Sequence, residues 1–104
     1  MSSTIVFDDR DAAIRLERPV LVTTARGGVF FGYATDTSGE TIKLRAGRNC
    51  LYWTEEVRGF VGLASDGPQQ GCRVGPAADM ELRNVTAVLE CTTIAVEAWE
   101  KAPW

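Results

Sequence analysis

With 104 residues, 45% of them hydrophobic and 24% charged, the chain has the size and composition of one small folded domain, too apolar for a disordered tail. It holds no histidine, which removes Ser-His-Asp and Cys-His nucleophilic pairs, the HExxH zinc site and most general-base schemes at neutral pH. The net charge of −3 is uneven, +1 over residues 1–52 and −4 over residues 53–104, so the chain lacks the basic excess that coating a nucleic-acid backbone requires.

In chain order, residues 8–18 read as a short helix in an amino-terminal extension: Asp8 can cap it, acidic residues fill its first turn, Ala12, Ala13 and Leu16 line one side, and Pro19 stops it. A strand over residues 4–7 is the alternative. From Val20 the hydrophobic period changes to two. Val20-Leu21-Val22-Thr23-Thr24, closed by Arg26-Gly27-Gly28, and then Val29, Phe31 and Tyr33 in alternation, predict two strands around a glycine turn. Turn residues at 36–40 lead to a third strand carrying Ile42 and Leu44, which completes an antiparallel meander. Gly47 separates it from another strand over residues 48–53, whose bulky residues on both faces mark it as central. Residues 56–66 fit one or two helical turns ended by Asp66-Gly67-Pro68. Extended patterns resume at Cys72-Arg73-Val74 and over residues 80–91, and Thr92 or Thr93 can cap a last helix in which Ala95, Ala98 and Trp99 share a face. No run approaches the ~18 apolar residues of a membrane span. The expectation is one domain over residues 1–104, mainly β in an α+β arrangement: a small bent antiparallel sheet or SH3-like barrel with short helices, one of them carboxy-terminal. Apolar residues on both strand faces need cover, from the helices or from a second subunit, so a homo-oligomer is expected.

The residues that could carry chemistry are few. Cys50, Cys72 and Cys91 are odd in number and far apart, which fits reduced thiols better than a disulfide framework or a zinc knuckle. Glu55 and Glu56 are adjacent, a poor arrangement for an acid/base pair. No catalytic residue, metal ligand or cofactor site can be assigned. The strongest constellation is Arg45-Ala46-Gly47-Arg48-Asn49-Cys50-Leu51-Tyr52-Trp53, where cations close to a Tyr-Trp pair suit a planar, anionic, nucleotide-like ligand: rings stack on a base and a guanidinium holds phosphate. Arg45, Arg48, Tyr52 and Trp53 are the expected binding residues, joined by Arg26 or Arg73. The competing reading makes the same stretch a core strand.

The order Gly28-Val29-Phe30-Phe31-Gly32-Tyr33, then Arg48 to Trp53 as Arg-x-x-x-Tyr-Trp, then Gly62-Leu63-Ala64-Ser65-Asp66-Gly67, then Cys72-Arg73 and a tryptophan-bearing end, resembles a family of small phage and prophage proteins known only as a domain of unknown function. The resemblance covers roughly residues 19–104. The Gly-rich stretch over residues 57–62 departs from the family's helix. The resemblance implies a phage accessory protein in the host cytoplasm, acting by binding. Two expectations from different classes follow. One is an oligomeric sponge that sequesters a nucleotide-like immune signal; the other is an inhibitor that covers a basic surface of a host defence protein with its acidic half. A small metal-independent hydrolase is the third.

Overall fold

A computed structural model describes residues 16–103. The helix expected over residues 8–18, and the alternative strand over residues 4–7, lie outside the described residues except at their very end, where Arg18 already belongs to a strand. Six strands follow: β1 (Arg18–Thr24), β2 (Val29–Ala34), β3 (Ile42–Tyr52), β4 (Arg73–Val74), β5 (Ala78–Leu82) and β6 (Val85–Glu90). A 3-10 turn (Glu55–Val57) and helix α1 (Gly59–Ser65) come between β3 and β4, and helix α2 (Thr93–Lys101) follows β6. All ladders are antiparallel. The sheet runs β4-β3-β2-β1-β6, with β5 also on β3.

The expected meander is present, but the separate strands foreseen on either side of Gly47 are one strand. In β3 an extra residue is inserted at residues 45–47: Tyr33 faces Arg45 while Phe31 faces Arg48, and Leu44 faces Met80 while Gly47 faces Ala78. Ala46 absorbs the insertion at φ 54°, and its N–H donates to Asp79 Oδ1 at 3.0 Å. A bulge of this kind shifts the side-chain alternation by one position. Ile42 and Leu44 therefore point to one face of the sheet, and Arg48 and Cys50 to the other.

Each face has its own core. On the concave side Val20, Val22, Ala34, Ile42, Leu44 and Leu82 pack together, because β5 on β3 leads through residues 83–84 into β6 on β1 and curls the sheet over itself. No ladder joins β5 to β6, so the sheet stays open rather than closing as a barrel. On the convex side Leu21, Val29, Phe31, Cys50 and Val74 are covered by Val57, Leu63, Ala64, Ala95 and Trp99 from the helical segments. The curl and the helices thus cover much of both faces within one chain, while Leu51, Tyr52, Phe60, Val61 and Ile94 remain exposed.

Helix α2 is fastened at both ends. Thr92 Oγ1 accepts from the Ala95 amide at 3.0 Å and donates to Ser65 O at 2.6 Å. Trp99 stacks on Phe31 with ring centres 5.2 Å apart, and its indole N–H donates to Leu63 O. Among the described residues no helix is long and apolar enough to cross a membrane.

Candidate functional site

The six residues expected to form one pocket are placed in three locations. Arg48 is 8% exposed and its guanidinium is spent on backbone: Nε donates to Gly75 O at 2.8 Å, and one terminal nitrogen donates to Trp99 O at 2.6 Å and Ala102 O at 3.0 Å. Two of these carbonyls belong to the end of α2, where the last helical carbonyls lack intrahelical partners. Burial lowers the Arg48 pKa from its ordinary value, and no carboxylate pairs with it among the described residues. The bulge at Ala46 is what aims Arg48 at this helix end.

Arg45 lies before the bulge. Its Nε donates to both carboxylate oxygens of Glu17, and its guanidinium stands 4.8 Å from the centre of the Tyr33 ring. Tyr33 in turn donates its hydroxyl to Glu100. Burial first, then Glu100, raises the Tyr33 pKa to about 12. The open depression beside this cluster, about 450 Å³, is lined by Glu17, Asp79 and Glu81 as well as by Arg45 and Lys43. Its cations are balanced by carboxylates, which disfavours an anionic occupant.

The remaining four residues gather at one end of the sheet. Phe30 faces Asn49, so the β1–β2 turn that carries Arg26 lies at the same end as Leu51 and Tyr52. Arg26-Gly27-Gly28 is a turn, as its glycines suggest: Gly27 sits at φ 82° and donates to Thr24 O. On the far side of β3, Tyr52 faces Arg73 across the short β4 ladder. Leu51 and Tyr52 are 62% and 56% exposed, Arg73 is exposed, and Trp53 is half-buried against the convex core. Beside them opens a mainly apolar groove of about 690 Å³ lined by Leu51, Arg73, Val74, Gly75 and Pro76. No salt bridge occupies Arg73 or Arg26 among the described residues.

The profile of a domain of unknown function, DUF6948, matches residues 17–99. The chain belongs to the DUF6948 family. No curated protein and no solved structure matches it. The family span begins just before β1 and ends at Trp99, the residue that seals the convex core of the DUF6948 domain, so the match takes in both cores and the exposed sheet end.

The DUF6948 thiols sit in packing positions. Cys50 Sγ donates to Tyr52 O at 3.5 Å, and burial pushes its pKa up to about 11; burial, with Glu90 nearby, pushes Cys91 up to about 12. A thiol held protonated is a poor nucleophile. Glu55 and Glu56 open the 3-10 turn and are exposed. Gly62 reflects close packing: a Cβ there would lie 1.5 Å from Val57 O. Sequence reading missed the structural use of Arg48 and the Glu17-Arg45-Tyr33-Glu100 cluster. The first depends on a helix end 51 residues away and carries no local signal. For the second, Tyr33 and Arg45 in adjacent strands were a findable pair.

Proposed function

We propose that this domain is a binding module whose ligand site is the sheet end formed by Leu51, Tyr52, Arg73 and the Gly75-Pro76 wall, with Arg26 at its margin. The observation that carries the reading is the cross-strand pair of Tyr52 and Arg73, both exposed, beside an apolar groove. A phenol face, a guanidinium and an apolar wall suit a ligand that is planar at one end and anionic at the other, as a nucleotide is. Arg45 and Arg48 take no part in it, since each is engaged elsewhere. In the phage setting implied by the resemblance, the activity is sequestration of a nucleotide-derived immune signal in the host cytoplasm.

A thermal-shift screen with linear and cyclic nucleotides tests this directly, because a ligand that binds only the folded state raises the midpoint. For a nucleotide that does so, Arg73→Ala weakens binding tenfold or more, the equivalent of losing a charge-assisted contact of about 1.5–3 kcal/mol. Tyr52→Ala weakens it through lost stacking of about 1–3 kcal/mol. Absence of any shift across the screen, or equal affinity in both variants, refutes the site.

A further inference from the structure

The helices carry a second surface, independent of the sheet end. Phe60, Val61 and Ile94 are large apolar side chains that stay exposed, the last two at 60% and 67%, while their helices bury Leu63, Ala64, Ala95 and Trp99. They lie on helices that meet where α1 ends and α2 begins. There the Thr92 amide donates to Ala64 O and its hydroxyl to Ser65 O; Val61 lies one turn before Ser65, and Ile94 two residues after Thr92. Ile94 also lines an open depression of about 580 Å³ with Thr54, Glu56, Asp66, Gln69 and Gln70.

Charge selects the occupant. Glu55, Glu56, Asp66 and Glu97 are exposed around this face, and Arg58 is the one cation in residues 54–66 and 92–97. A second copy docked here about a twofold axis would oppose two such rims, and like charges across an interface are unfavourable. A purely apolar partner would strip water from carboxylates without pairing them. We infer that the α1–α2 face docks a basic, amphipathic polypeptide segment: its apolar side chains cover Phe60, Val61 and Ile94, and a Lys or Arg enters the depression between Glu56 and Asp66. The acidic balance of the back half is thereby concentrated on one surface with an apolar centre, the arrangement of a core and polar rim.

The test uses the whole chain and a synthetic amphipathic helix of Leu and Lys, with its Leu/Glu counterpart as control, followed by fluorescence anisotropy and by amide shift mapping. The Leu/Lys peptide binds, with shifts confined to residues 54–66 and 92–97, and the Leu/Glu peptide does not. Val61→Ser with Ile94→Ser weakens binding at least tenfold at unchanged net charge; Glu56→Gln with Asp66→Asn weakens it and flattens its salt dependence. Both pairs are exposed, and circular dichroism verifies that each variant is folded. Arg73→Ala leaves this binding unchanged, which separates it from the sheet-end site. Shifts spread over Glu40, Glu81 and Glu90, or full affinity in the Val61/Ile94 variant, reduce the effect to diffuse attraction and overturn the inference. So does self-association of the free chain through this face.

Discussion

Replacing Arg48 separates a structural cation from a ligand-binding one. Its guanidinium makes contacts of 2.6, 2.8 and 3.0 Å to three carbonyls and is 8% exposed, so Arg48→Ala removes a charged donor group and leaves Gly75 O, Trp99 O and Ala102 O without it. Hydrogen bonds to charged groups contribute about 1.5–3 kcal/mol each, but three that share one side chain do not add. The expected loss is about 3–5 kcal/mol, large against the ~5–15 kcal/mol stability of a typical domain. Arg48→Met keeps most of the stem's volume and so reports the hydrogen bonds with little lost packing; Arg48→Lys recovers part of the loss, since one ammonium cannot span the fork. Urea denaturation followed by circular dichroism gives the magnitudes. Hydrogen exchange locates the effect: amides of α2 lose protection before those of β1 and β2. If Arg48→Met stays within about 1 kcal/mol of the parent with α2 still protected, the clasp is not what holds the helix.

Two further outcomes test the packing and the titrations. Gly62→Ala places a Cβ 1.5 Å from Val57 O, so the 3-10 turn and α1 must separate, and a drop of more than about 3 kcal/mol in urea, or failure to fold, is expected; parent-like stability would refute the contact. Tyr33, Cys50 and Cys91 have folded-state pKa values raised to about 12, 11 and 12, so the folded chain holds protons that the unfolded chain releases. Their stabilisation is intact below about pH 9, where the unfolded thiols begin to ionise, and is lost as pH rises toward about 12. Urea midpoints at constant ionic strength should fall over that interval and fall less steeply in Cys50→Ser. A midpoint that holds level through pH 11 contradicts the assignment.

Much of the architecture was readable from alternation and punctuation. Val29-Phe30-Phe31-Gly32-Tyr33 alternates cleanly because each face of β2 meets a different core, and Thr92 announced α2 because a cap is a local interaction. What escaped was non-local. Gly47 looked like a break between strands because a bulge and a turn use the same small residues; only the facing residues of β2 and β5 tell them apart. That β5 and β6 fold the sheet over itself, and so cover apolar residues of one face from within the chain, has no local signal either. In the Arg48 to Trp53 segment the core reading holds only for part of the strand: Arg48 and Cys50 belong to the interior, while Tyr52 reaches the surface beside Arg73. The boundary between core and surface falls inside a six-residue motif, where residue type gives no indication of it.

The inserted residue of β3 also sets how this gene can change length. Removing Ala46 would leave Arg48 three positions after Leu44, so plain alternation would keep Arg48 and Cys50 on the convex face, Arg48 opposite Phe31 and Gly47 against Met80. Only the bond from the Ala46 amide to Asp79 would be lost. Removing Asn49 instead would put Arg48 and Cys50 on opposite faces and pull one of them out of the convex side. A three-nucleotide deletion in the exposed 36–40 loop shortens a turn and leaves both cores in place. Length variation among viable variants is accordingly expected in that loop and at the bulge, and forbidden between Arg48 and Cys50.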